Sequence, residues 1–314
     1  MFWNRKRNYR ATYEIEVKNN LDEENQIFLV APLSPNTSQQ ELKSEIVFEP
    51  ADCQVKTDWV FGNQYVVWQL NLKAGETVQC RFSFEIAVSP FRVKISKNFQ
   101  LVDYGQTIEA GRTLSFVKKF IQFDNEKIRT LAKEIIGQEK NLKKILNLLN
   151  NFVVSSLKYG NPIVGLYSAN EAWENKVTDC GGFSTLLIAL CATMGIPSRL
   201  VLGFWAGFPK NEMHAWVEIM LPDGTYLPAD PAVESLRKQG RTKKVGQFGF
   251  VGSDRIVFSY GCNILLEIKG QEKRADILQN PLVFPQNGPD SCSIKMQLKT
   301  ISAPDLLKAG TDLS

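Results

Sequence analysis

The chain has 314 residues, with 37 Lys and Arg against 33 Asp and Glu and a formal charge of +4 at pH 7. At roughly 100 to 200 residues per domain, that length is enough for two domains with real cores. So small and evenly spread a charge excludes the basic footprint of a nucleic-acid binder.

The first residues, MFWNRKRNYRATYEIEV, are basic with no apolar stretch behind them, so no secretory signal is expected. The longest apolar run, Leu186 to Ala192, falls far short of the roughly 18 to 20 residues a bilayer needs, and no membrane span is expected. Cysteines stand at 53, 80, 180, 191, 262 and 292, with neither a CxxC pair nor a Cys/His cluster. Structural zinc is therefore not expected, nor any other metal or cofactor. In a long chain without a signal, the pattern reads as reduced thiols in a cytoplasm.

From Tyr9 to about Lys97 the chain alternates apolar and polar residues, as in Tyr13, Ile15 and Val17, then YVVWQLNL and VQCRFSFEIAV, with turns at PLSPN, FGN and KAGE. About seven short strands in this stretch predict an antiparallel β-sandwich of the immunoglobulin-like kind. Cys53 and Cys80 read as structural thiols within it.

The period changes after about Ser115. FDNEKIRTLAKEIIGQ puts Ile128, Leu131, Ala132 and Ile135 on one helical face, with Asp124 as the expected cap and Gly137 as the stop. A second helix is expected from about Asn141, with Ile145, Leu148, Leu149, Phe152 and Val153 as its buried stripe. The lysines beside these stripes are solvated faces. A loop-rich stretch follows, with a short helical turn at Ala169 to Glu174.

VTDCGGFSTLLIALCATMGIPSR comes next, and here a cysteine stands where two glycines open into an apolar helix. Phe183, Leu186, Leu187 and Leu190 keep helical spacing until Gly195-Ile196-Pro197. Cys180 thus lies in the first turn, where free backbone N–H groups and the helix dipole favour a thiolate and supply an oxyanion hole. Asp179 fits as the cap. Cys191 sits on the same helix, roughly 16 Å along the axis in an apolar run, and is expected to be buried and inert.

An ordinary thiol is only slightly ionised at neutral pH, so a nucleophile at Cys180 needs a base, and the chain has a single histidine, His214. Met213, Ala215, Val217 and Ile219 form the apolar face of a strand, and His214, Trp216 and Glu218 point the other way. Pro222-Asp223-Gly224 suits a three-residue hairpin loop, with glycine at the left-handed position. With that loop Leu221 pairs Thr225, Trp216 falls opposite Asp230, and His214 lies diagonal to Asp230 on the same face. A two-residue loop would turn Asp230 to the wrong face. Nucleophile, base and orienting carboxylate then follow in the order Cys180, His214, Asp230, the logic of acyl transfer through a triad.

The segments VTDCGGFSTLLIALCATMGIPSRLVLGF and HAWVEIMLPDGTYLPADPA resemble the core of the transglutaminase-like superfamily of papain-like cysteine enzymes, over roughly residues 118–280. The resemblance extends to later strands expected near SDRIVFSYG and DILQNP. It implies an α+β fold: an N-terminal antiparallel β-sandwich, then a transglutaminase-like, papain-like core with a cysteine helix packed on an antiparallel sheet. The domains expected are 1–105, 106–287, and 288–314 as C-terminal strands with a polar tail from about Pro304. The family's triad carries over to Cys180, His214 and Asp230. Tyr167, Trp173 and Trp216 are candidates for a second oxyanion donor or the cleft wall, whereas Arg199 and Glu218 read as structural.

The chemistry implied is thiolate attack on a peptide or isopeptide amide and a thioester intermediate, with a peptide or protein as substrate. The chain lacks the length and EF-hand-like acidic loop of animal transglutaminases and the metal-binding cysteine pairs of the peptide N-glycanase branch, which favours hydrolysis. Protein cross-linking, de-N-glycosylation and a catalytically silent protein-binding module on the same fold stand as alternatives.

Overall fold

The computed structural model describes residues 5–104 and 108–302. The expected tail from Pro304 and the expected domain boundary at 105/106 lie outside the described residues. Eight strands come first among them: β1 (Arg7–Asn19), β2 (Asn25–Pro32), β3 (Gln40–Leu42), β4 (Val47–Glu49), β5 (Gln54–Thr57), β6 (Gln64–Leu72), β7 (Thr77–Val88) and β8 (Phe91–Arg92). Then come α1 (Ile108–Ile121), α2 (Glu126–Ile136), α3 (Leu142–Ser156), β9 (Lys158–Tyr159), α4 (Ala169–Asn175), β10 (Val177–Thr178) and α5 (Cys180–Thr193). The rest are β11 (Ser198–Trp205), β12 (Met213–Met220), β13 (Tyr226–Ala229), α6 (Pro231–Lys238), β14 (Phe250–Val251), β15 (Arg255–Tyr260), β16 (Ile264–Ile268), β17 (Gln271–Ala275), β18 (Leu282–Pro285) and β19 (Cys292–Ser302). DILQNP forms the connection between β17 and β18, the strands expected near it.

The antiparallel sandwich expected from the alternating pattern is present. One sheet runs β19-β1-β7-β3, with β4 also on β7, and the other runs β18-β2-β6-β5. In β1 the period of two buries Tyr9, Ala11, Tyr13, Ile15 and Val17 and leaves Arg10 and Lys18 in water. β2 and β6 are covered on their outer face as well, where Phe28, Val30, Tyr65 and Val67 pack against Ile264, Leu266 and Ile268 of the β16-β17 hairpin. β19 pairs with β1 along its whole length, from Tyr9 opposite Ser302 to Asn19 opposite Cys292. Both early and late strands therefore build the sandwich.

The second unit is α5 packed on the antiparallel sheet β13-β12-β11-β15, with α2, α3, α4 and α6 around it. Every residue of α5 from Gly181 to Cys191 is buried, so the helix is apolar all round, as a central core helix must be. Two helix details differ from expectation. Asn125, not Asp124, caps α2: its side-chain oxygen accepts from Lys127 N and Ile128 N, while Asp124 pairs with Lys118 at 2.6 Å. α3 begins where expected, with Asn141 as its cap, but Leu148 is 41% exposed because the stripe that meets α5 runs through Ile145, Leu149 and Val153.

The sandwich is fused to the other face of the second sheet. Phe204 and Ala206 at the end of β11 and Ile256 and Phe258 of β15 share one apolar core with Tyr13, Phe82 and Phe84. The outer edge of β15 is closed by side-chain amides in place of another strand. Gln40 accepts from Val257 N (2.8 Å) and donates to Val257 O (2.9 Å), and Asn63 does the same at Tyr260 (2.7 and 2.8 Å). An edge that would otherwise offer free N–H and C=O groups is thereby satisfied from the sandwich side.

Candidate functional site

Asp179 begins α5 as its cap. Oδ1 accepts from Gly182 N (3.2 Å) and Oδ2 from Ile163 N (3.3 Å), which ties the preceding loop to the helix start. Cys180 follows, half-buried, at the first helical position. The glycines after it serve internal packing: a Cβ on Gly181 would stand 2.8 Å from Leu166 Cδ1, and one on Gly182 would overlap Thr178. The expected thiolate bias of the helix start does not prevail here. Burial, then the carboxylates of Asp179 and Asp230, push the thiol up to about 12, against the opposing backbone N–H groups of Ala215 and Gly181.

The hairpin delivers the next two residues as the turn chemistry requires. Leu221 N bonds to Thr225 O at 2.8 Å, Gly224 takes the left-handed conformation at φ 81°, and Met220 pairs with Tyr226 and Val217 with Ala229. That register sets His214 Nε2 2.8 Å from Asp230 Oδ2, with both side chains buried. Asp230 also caps α6, its Oδ1 accepting from Val233 N at 3.1 Å with Pro231 next in the helix. Burial raises the Asp230 carboxyl, but His214 and Arg255 outweigh it and hold the group down at about 2. For His214 burial prevails over the attraction of Asp230, so its pKa lies below the ordinary value. The face of β12 that carries His214, turned away from the strand's apolar face, is itself covered. Trp216 is fully buried with Val201, Val251 and Val257, and Glu218 is 3% exposed.

The imidazole is stacked between indoles: Trp205 at 4.4 Å between ring centroids and 28° between planes, Trp216 at 5.9 Å and 19°. Gly203 pairs with His214 across β11 and β12, and a Cβ there would run into the Ile256 carbonyl oxygen and come within 3.0 Å of Trp216. Gln279 donates to Gly203 O (2.7 Å) and His214 O (3.0 Å), holding both backbones. The loop between β11 and β12 is pinned by β19: Gly207 N donates to Thr300 Oγ1 (3.0 Å), and Asn211 joins Thr300 Oγ1 (2.6 Å) and Leu298 O (2.9 Å).

Among the other residues singled out from sequence, Tyr167 donates its hydroxyl to Asn161 O at 2.8 Å, and Trp173 packs on Phe152 at 5.3 Å between rings. Trp216 stands with the imidazole. Arg199 and Glu218 form a pair at 2.6 Å, with the guanidinium between Tyr226 and Tyr260 and Gln39 of the sandwich on the free carboxylate oxygen at 3.1 Å. Cys191 is fully buried and its thiol is pushed up to about 12. Sequence reasoning missed Trp205, Arg255 and Gln279. The available signal for Arg255 was a charge inside the apolar run RIVFSY, and for Trp205 its position two residues beyond the glycine that faces His214.

Fold and site together define an α+β protein whose cysteine helix is set against a histidine strand. Residues 129–231 match the model of the transglutaminase-like superfamily. A crystal structure named for a candidate cysteine protease of Cytophaga hutchinsonii has the same fold, with a TM-score of 0.65, 13% identity, and coverage of 95% of this chain and 91% of that one. YebA of Bacillus subtilis is 23% identical over a stretch covering 37% of this chain, which amounts to 19% of that relative's length. The periplasmic domain of TgpA from Pseudomonas aeruginosa aligns with 76% of this chain and 94% of its own, at 12% identity and a TM-score of 0.38. No helix among the described residues is long and apolar enough to cross a membrane.

Proposed function

We propose that the protein is a cysteine-dependent acyl-transfer enzyme that hydrolyses peptide or isopeptide amides, with Cys180 as nucleophile, His214 as general base and acid, and Asp230 as the orienting carboxylate. The observation that carries this reading is the buried His214–Asp230 bond of 2.8 Å on the strand that packs against the start of the cysteine helix. In the resting site Cys180 holds its proton and His214 is neutral. As sulfur attacks the carbonyl carbon, the imidazole takes the thiol proton, and the resulting imidazolium gives it to the departing amine. A thioester on Cys180 remains. Water, deprotonated by His214, attacks it, releasing the acid and restoring the thiol. A lysine amine in place of water would give an isopeptide cross-link. The six cysteines are unpaired, which supports thiol chemistry in a reducing, cytoplasmic compartment.

The runner-up reading, a silent protein-binding module, draws support from the raised pKa of the Cys180 thiol. An activated ester such as p-nitrophenyl acetate separates the two without knowledge of the substrate. The wild type should release a burst of nitrophenolate and gain one acetyl group on the Cys180 peptide. Cys180→Ala should abolish both, and His214→Ala should slow acylation on the order of 10²- to 10⁴-fold. Equal acylation with and without His214, or acetyl spread over surface residues alone, would remove the catalytic reading in favour of the module. Peptide amides with and without an added primary amine then separate hydrolysis from cross-linking.

A further inference from the structure

Two groups compete for one oxygen of Asp230. Oδ2 meets His214 Nε2 at 2.8 Å and also Arg255 Nη1 at 2.6 Å. Arg255 is only 2% exposed and is itself fixed on every side. Its Nε points to Asp254 Oδ1 at 3.3 Å, its Nη2 donates to Val245 O, and its guanidinium lies 4.2 Å over Trp205 and 5.3 Å over Trp216, the two rings that sandwich the imidazole. Gly246 closes the top: a Cβ there would stand 2.7 Å from Asp230 Oδ2 and 2.8 Å from Arg255 Nη2. A pair that merely stapled β15 to α6 would work through either carboxylate oxygen. Here the cation shares the oxygen that faces the imidazole, so whatever charge it neutralises is charge an imidazolium cannot use.

Resting on the reading of His214 as base and Asp230 as its orienting group, we propose that Arg255 is a positioning residue that locks the Asp230 carboxylate toward the imidazole and keeps His214 neutral, so that the thiolate of Cys180 forms only when substrate arrives. The charged groups around the pair act unequally. Just before β15, Asp254 faces the Arg255 Nε at 3.3 Å, and from β15 itself Arg255 opposes a protonated ring, which Asp230 favours. From the segment before β14, Lys244 opposes it too, but it is partly exposed and paired with Glu212 at 3.3 Å. From the α5 side, Cys180 is a neutral thiol and the Asp179 carboxylate is spent on backbone N–H groups. Arg255 is thus the buried cation in direct contact with the carboxylate that would stabilise an imidazolium.

Because His214 is the single histidine, its ring signals can be followed by NMR in histidine-labelled protein without assignment. Arg255→Met should raise the imidazole's protonation midpoint by about one pH unit or more, since the full charge of Asp230 becomes available to the ring. Arg255→Lys, which keeps a cation without the planar fork, should fall between Met and wild type. An unchanged midpoint in folded Arg255→Met would overturn the proposal. If that variant does not fold, Arg255→Gln against Arg255→Lys decides: Gln must lie above Lys, and equal midpoints overturn it. The ester experiment separates the two claims. A midpoint that shifts while His214→Ala acylates normally leaves the clamp and removes the catalytic reading. A strong His214 effect without any shift does the reverse.

Discussion

Burial keeps the proton on Cys180 and off His214, while His214 and Arg255 keep Asp230 ionised against its burial, and this assignment makes the fold acid-sensitive. Asp230 is held at about 2 in the folded chain against an ordinary value of 3.8. A carboxyl depressed on folding contributes stability that is present above about pH 4 and is lost as pH falls from there towards 2, on the order of 2 kcal/mol in all. His214 shifts the other way in charge but has the same consequence. Its folded pKa lies below 6.5, so as pH falls below 6.5 the unfolded chain takes up a proton that the folded one refuses, and stability drops until the folded value is passed. Urea unfolding of wild type and Asp230→Asn from pH 7 to 2.5 should show the wild type losing about 2 kcal/mol more than the variant below pH 4. Parallel pH profiles would remove Asp230 from this account.

At the level of elements, the β12-β13 hairpin was legible in the sequence because turn chemistry counts residues: Pro222-Asp223-Gly224 admits one loop length, and one loop length admits one partner for each position. The start of α5 was legible for a similar reason, since Asp179 could cap it and Gly195 could end its run. The second face of the sheet was not legible. Trp216 and Glu218 alternate like outward residues, and what covers that face comes from Val251 and Val257 and from Gln39, all distant in sequence. Arg255 escaped for the same reason, its partner Asp230 belonging to a different element. The expected cap of α2, Asp124, gives way to its neighbour Asn125, because adjacent residues of similar chemistry differ only in which one the backbone turns inward. Gly203 marks where two elements meet most closely. Gly203→Ala should cost at least the roughly 1–3 kcal/mol of an overpacked core and weaken the pairing of β11 with β15. Chemical denaturation measures this, and a variant as stable as wild type would contradict the crowding against the Ile256 carbonyl.

For the whole molecule, the shared core of Phe204, Ile256 and Phe258 with Tyr13 and Phe84, and the amide rungs of Gln40 and Asn63 on β15, couple the sandwich to the sheet that carries His214. Gln40→Leu orphans the buried N–H of Val257, at a cost of about 1–3 kcal/mol. Trp68 lies in the sandwich core, and Trp205 and Trp216 lie beside the imidazole. Their fluorescence and the far-UV signal should therefore move together to a lower denaturant midpoint in Gln40→Leu. Two separated transitions would mean that the units stand independently.

The pairing of β19 with β1 carries this coupling into the life of the nascent chain. A ribosome has already released the cysteine helix, the histidine strand and the aspartate when Cys292–Ser302 is still to be made, and until that strand arrives β1 lacks one neighbour and the loop Gly207–Asn211 lacks its bonds to Thr300 and Leu298. At roughly 5–20 residues per second the delay is several seconds. On the proposed reading of Cys180, a thiol nucleophile next to the cell's unfolded polypeptides would be a hazard during that interval, and this topology secures the loop Gly207–Asn211 last.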